Sequence, residues 1–214
     1  TVVNNVETFA NLPAIIKNGA EWFASIGSPS YPGTKVFTLT GDVVNRRAFE
    51  VPTNTTIREL IFDLGGGIPN GKRFKAVQIG GTSGAFIPEH LLDTPLDFDS
   101  MRDAGVTLGT GAVFVMDETR DMVDVVTRIA KFFEHESCGK CNPCREGTFR
   151  SYELMKKIKA GQATPDDVQN LTTLSQVMTK ACLCGLGQAA PTPILTTLEH
   201  FSADYQRRLA AAIS

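Results

Sequence analysis

The spacing of five cysteines constrains this chain more than any other feature. Three stand at two-residue intervals in Glu136-Ser-Cys138-Gly-Lys-Cys141-Asn-Pro-Cys144-Arg-Glu-Gly-Thr148, and Cys182 and Cys184 follow well downstream. Three thiolates on one short loop converge on one small object, and a distant thiolate closes the site. This C-x2-C-x2-C run is the pattern of cubane iron–sulfur ligation, and the single later pair limits the chain to one cluster. Structural zinc usually takes two separated ligand pairs, so it stands second. A secreted disulfide framework spreads its cysteines along the chain. Clustering instead points to a reducing, cytoplasmic setting with a metal site.

Spacing does not choose between Cys182 and Cys184 as the fourth ligand. Cys184 precedes Gly185-Leu-Gly187, where the backbone can approach a cofactor closely, and Cys182 then reads as a buried spare. Lys140 and Arg145 either offset the charge of an anionic cluster or are simply exposed on the loop. His135 reads as a helix-end residue, and His90 and His200 receive no role. The glycine runs at 65–67, 80–81 and 109–111 lack the spacing of a nucleotide-binding fingerprint and are read as turns.

Three regions are expected along the 214 residues. Residues 6–26 carry apolar side chains near helical spacing, with Pro13 opening a new turn or a kink. The stretch 27–33, rich in Gly, Ser and Pro, reads as a linker. From 34 to 118 short strands dominate, at 35–41, 47–51, 73–79 and 112–116, with a short helix at 56–65. Strands, a helix and more strands suggest a small β-grasp, ubiquitin-like domain. From 119 to 214 four amphipathic segments imply a four-helix bundle, so the fold class is α+β. The third of these opens with Thr164-Pro-Asp-Asp167, an N-cap followed by proline and acids in the first turn.

A formal charge of −2 with scattered Lys and Arg gives no basic face for nucleic acid. No apolar run is long enough for a membrane helix. The first thirty residues lack the order of a secretory signal, and a start at Thr1 suits the tail of a longer polypeptide. No Ser/His/Asp set or paired carboxylates call for acid–base catalysis.

These residues resemble a known family. Glu136–Thr148 and the later Cys184-Gly-Leu-Gly-Gln-Ala-Ala-Pro-Thr-Pro193 look like the carboxy-terminal part of the NADH-oxidising flavin subunit of respiratory complex I. Related subunits of NAD-linked hydrogenases and formate dehydrogenases carry the same motif. The opening Thr1-Val-Val-Asn-Asn-Val-Glu-Thr8 is similar to a segment of those subunits too. The resemblance implies the end of a flavin/NADH-binding domain over 1–33, a soluble-ligand-binding β-grasp domain over 34–118, and a helical [4Fe–4S] domain over 119–214. It implies that Cys138, Cys141, Cys144 and Cys184 ligate the cluster, with Cys184 the fourth because it directly precedes Gly-Leu-Gly. Asn4, Asn5 and Thr8 match the segment near the FMN phosphate and are candidate flavin contacts. In the family, NADH gives a hydride to FMN and single electrons leave through the cluster to partner subunits, in the cytoplasm or at the cytoplasmic face of a membrane-bound complex. The glycine-rich stretch that holds FMN and NAD in the family has no counterpart here. The chain alone is therefore expected neither to hold flavin tightly nor to oxidise NADH. The Gly-Leu-Gly-Gln form leans toward the hydrogenase branch.

Overall fold

In the computed structural model, residues 1–210 are described; 211–214, the end of the expected helical part, lie outside them. The chain opens with α1 (Val6–Asn18) and α2 (Ala20–Ala24), separated by Gly19. Pro13 lies inside α1 and does not divide it. Neither helix buries a residue, and α1 is tied down by Glu7 instead. Its carboxylate accepts from Lys35 Nζ at 3.0 Å and from the Val36 backbone N–H at 2.7 Å. The expected linker is a folded loop: Gly33 N–H donates to Ile26 O at 2.7 Å, and Ser28 N–H donates to Thr53 Oγ1 at 2.9 Å.

Five strands follow: β1 (Thr34–Gly41), β2 (Arg47–Pro52), β3 (Phe74–Ile79), β4 (Ala85–Ile87) and β5 (Ala112–Asp117). They form one sheet in the order β2-β1-β5-β3-β4, with β1 parallel to β5 and the other pairs antiparallel. β4 is the strand that sequence patterning missed, because three wholly buried residues show no alternation. At the end of β1, Gly41 has φ +91°, and a Cβ there would lie 2.1 Å from Val115 O. Only glycine permits that approach. The helix expected at 56–65 is a wider turn at Glu59–Leu64, where Gly65 N–H reaches back five residues to Leu60 O at 3.0 Å. A short α3 (Phe98–Asp103) precedes β5.

Six helices complete the described chain: α4 (Met122–Glu136), α5 (Asn142–Lys159), α6 (Pro165–Ala181), α7 (Gly185–Ala189), α8 (Thr192–His200) and α9 (Ser202–Ala210). The four expected segments correspond to α4, α5, α6 and α8. The short α7 and the terminal α9 were not anticipated. α6 begins with the full capping box that its sequence signals, Thr164 and Asp167 bonding reciprocally. Asp167 also accepts from Lys157, and these bonds hold its carboxyl at about 2.

The sheet is covered on both faces. Phe37, Leu39, Val77, Ile79, Val113 and Val115 face a core with Ile57, Leu60, Ile61, Leu96 and Met101. Ala76, Phe86 and Met116 face the other way, into a core with Met122, Val126, Met155, Ile158, Ile194 and Tyr205. The two-residue period of a strand sends Val77 and Ala76, or Val115 and Met116, to opposite faces. Two polar contacts fix the helices to the sheet. Thr196 Oγ1 on α8 accepts the Phe86 N–H of edge strand β4 at 3.1 Å. Asp204 on α9 accepts from Lys75 Nζ on β3 at 2.6 Å and from the Met122 N–H at the start of α4 at 2.9 Å.

Asp204 is 4 % exposed. Burial opposes its charge, but Lys75, the Met122 amide and Arg207 outweigh that, and its carboxyl stays below the ordinary range. A depressed carboxyl pKa gives stability that is present above the unfolded value, near pH 4, and is lost as pH falls through the folded one. Asp204→Asn should cost about 2–4 kcal/mol in urea melts at pH 7, because it strips a buried ammonium of its partner. The difference from wild type should shrink below about pH 4. A neutral substitution at pH 7 would refute this anchor.

Candidate cluster-binding site

Cys141, Cys144 and Cys182 pack together where the ends of α4, α5, α6 and α7 meet, with Cys184 near Cys182. Cys138 is exposed on the loop before α5 and is not drawn in among them. α4 ends at Ser137, whose N–H donates to Phe133 O at 3.1 Å. Residues 138–141 then loop into α5, with Cys141 as its N-cap and Pro143 in the first turn. Proline fits there because the first helical amides have no intrahelical acceptor. Cys182 terminates α6, and Cys184 is the residue before α7. Arg145 braces the first loop by donating to Gly139 O at 2.9 Å and to Asn142 Oδ1 at 2.5 Å. Gln188 braces the second by donating to Cys182 O at 2.9 Å. Arg145 is thus a structural clamp on the loop, whereas Lys140 is exposed.

The five thiols differ in setting. Cys138 and Cys184 are exposed, Cys141 is half-buried, and Cys144 and Cys182 are buried. Cys144 and Cys182 share a small apolar core with Phe133, Met178 and Ala190, with Cys141 and Leu186 against it. Ser137 Oγ stands 3.3 Å from Cys144 Sγ. The Leu183 backbone N–H, and after it the Cys144 N–H, hold the Cys141 thiol below its usual range. Burial, followed by the neighbouring Cys144, Cys141 and Cys184, pushes the Cys182 thiol up to about 11. Gly187 opens the wall behind these sulfurs: a Cβ there would lie 2.6 Å from Cys182 Sγ and 3.0 Å from Cys144 Cβ.

This donor set fits an anionic iron–sulfur cluster. Thiols supply the ligands, and the backbone amides that hold the Cys141 thiol below its usual range favour an anion there. Among the described residues, no three His, Cys, Asp or Glu side chains are grouped as ligands of a single ion. A mononuclear site draws its thiolates to about 2.3 Å from one metal.

The remaining candidates lie elsewhere. Asn4 is exposed and accepts the Asn5 N–H at 2.7 Å, and Asn5 caps α1 by accepting the Glu7 N–H at 2.8 Å. Asn5 and Thr8 line a cavity of about 500 Å³ with Tyr31, Lys35 and Thr53; Asn4 does not. His135 is exposed at the end of α4 and pairs with Glu136 at 3.2 Å. Sequence reasoning missed Ser137 and Gln188, whose roles come from contacts across helix ends. Cys182 is buried, as the sequence reading expected of it.

Comparison with known proteins gives the class first. Residues 124–208 match the family model described as the NADH-ubiquinone oxidoreductase-F iron-sulfur binding region, and residues 36–86 match the SLBB domain. The NADP-reducing hydrogenase subunit HndC of Solidesulfovibrio fructosivorans is 48% identical over 206 residues, which are 96% of this chain and 42% of that protein. The F subunit of the NADH-quinone oxidoreductase of Rickettsia rickettsii is 38% identical over 210 residues, 98% of this chain and 50% of that one. A crystal structure of an NAD+-reducing [NiFe]-hydrogenase in the H2-reduced state superposes with a TM-score of 0.85 at 37% identity, covering 98% of this chain and 35% of that chain. The chain is therefore a relative of the F subunits of NADH-quinone oxidoreductases and of these hydrogenase subunits, as its cysteine motif implied. It spans half or less of the length of these relatives. Among the described residues, no helix is long and apolar enough to cross a membrane.

The glycine wall gives a direct test of the packing. Gly187→Ala should cost about 1–3 kcal/mol in thermal or urea melts of the metal-free chain, because its Cβ overlaps Cys182 and Cys144. It should also make Cys182 react faster with iodoacetamide, as judged by mass spectrometry. An unchanged melt and unchanged labelling would mean that the wall yields freely.

Proposed function

We propose that this chain holds one [4Fe–4S] cluster through Cys138, Cys141, Cys144 and Cys184, and that its function is electron transfer within an NAD(P)-linked oxidoreductase. The observation that carries this is the packing of Cys141, Cys144 and Cys182 at the junction of α4, α5, α6 and α7, in the segment matched to an iron–sulfur binding region. When bound, such a cluster accepts and releases single electrons. The chain's own residues supply the thiolates, offset their charge with amide dipoles, and keep water from Cys144 by burying it among Phe133, Met178 and Ala190. Burial and hydrogen bonds to sulfur then set the potential.

Three domains accord with this role. Residues 1–33 are the tail of a flavin/NADH-binding domain, 34–118 a β-grasp domain, and 119–214 a helical iron–sulfur domain built on a four-helix bundle. The strand order with a parallel β1–β5 pair at its centre supports the β-grasp assignment. Asn4, Asn5 and Thr8 are FMN contacts in the complete subunit, where FMN and NAD are bound, and the cavity beside Asn5 and Thr8 supports that placement for those two. Electrons pass to an iron–sulfur partner in a multi-subunit redox complex, on the cytoplasmic side.

Anaerobic reconstitution should load about four irons and four sulfides per chain and give a reduced-cubane EPR signal with dithionite. Cys144→Ala should abolish that signal. Stoichiometric zinc uptake, without iron or an EPR signal, would overturn the proposal in favour of a zinc-braced binding module.

A further inference from the structure

Four ligands complete a cubane, so the proposed set leaves Cys182 without a task. It nevertheless packs among the proposed ligands. The side chain is 4 % exposed and lies in the same small core as Cys144, with Cys141 packed against that core. Cys184, by contrast, is exposed. The two residues bracket Leu183, which is 73% exposed and turned to solvent. Both have extended backbone angles, Cys182 at φ −69°, ψ 142° and Cys184 at φ −134°, ψ 166°. The fold also maintains space for this sulfur. Gly187 lacks the Cβ that would strike Cys182 Sγ at 2.6 Å, and Gln188 holds the Cys182 carbonyl.

We infer that Cys182 is an alternative fourth ligand, able to take the iron that Cys184 holds, a role that rests on the cluster reading above. In the exchange, the Cys182 thiol gives up its proton and its sulfur bonds to the iron. The Cys184 sulfur leaves the same iron and takes up a proton. No electron is gained or lost, so no oxidant or reductant is required. The chain can then keep its cluster when the exposed Cys184 is oxidised or alkylated, with the buried Cys182 as the protected reserve.

The test compares wild type, Cys184→Ala, Cys182→Ala and the double variant after anaerobic reconstitution. The readouts are iron and sulfide counts, EPR of the reduced samples and the midpoint potential. Cys182→Ala should match wild type in iron content. Cys184→Ala should retain its iron with shifted g values and a shifted potential. The double variant should lose the reduced-cubane signal. If Cys184→Ala loses as much iron as the double variant while Cys182→Ala stays loaded, the reserve role is overturned and the cluster reading stands. If wild type itself takes up no iron, the cluster reading fails and this inference falls with it. Cys184→Ser, which nearly preserves side-chain volume, repeats the comparison if the alanine variant melts early.

Discussion

A sheet buried on both faces is the constraint on which the rest of the structure depends. β3 and β5 send alternate residues into two cores, Val77 and Val115 into one, Ala76 and Met116 into the other. Neither face could be left to solvent without exposing large apolar side chains, so the carboxy-terminal helices must dock on the sheet. That docking fixes α4 from its first residue, since Met122 is buried and its amide is held by Asp204. The far end of α4 then determines where Ser137 and the first cysteine loop stand. The cluster-binding region is thus positioned by a helix whose beginning is anchored in the sheet.

At the site itself, thiols are brought together by helix termini rather than by helix faces. Helix termini carry unpaired amides, and those of Leu183 and Cys144 hold the Cys141 thiol below its usual range. Such groups favour an anion without adding a mobile counter-charge, which suits a relay that must take up and give back an electron with little rearrangement. Arg145 and Gln188 serve the same end indirectly, since each donates to a loop carbonyl. A wall as close as that at Gly187 tolerates no side chain, so the sulfurs and the helix backbone are packed as one unit.

Much of this was legible in the residues. The capping box at Thr164 and Asp167 has a local cause, a side chain bonding to an amide three residues away, and local causes can be read from sequence. Strands β1, β2, β3 and β5 stood close to their expected bounds for the same reason. The π-type turn at 59–64, strand β4 and helix α9 were harder. β4 is buried on both sides and has no alternation to read. α9 is held by Asp204 and Tyr205, whose partners Lys75 and Thr197 lie on other elements. The stretch 27–33 has the composition of a linker but folds because Thr53, distant in sequence, supplies its hydrogen bonds.

The sequence by itself determined the chemistry: a triplet of cysteines at two-residue spacing, followed by a second pair, can be satisfied by few things other than a metal cluster. It also determined α4, α5, α6 and α8, because amphipathic period and caps are properties of neighbouring residues. Only the tertiary structure decided which thiols are buried, that Cys182 stands among Cys141 and Cys144, and that one sheet serves both cores. Those facts depend on contacts between residues far apart in the chain, whose energies appear only when the helices are docked.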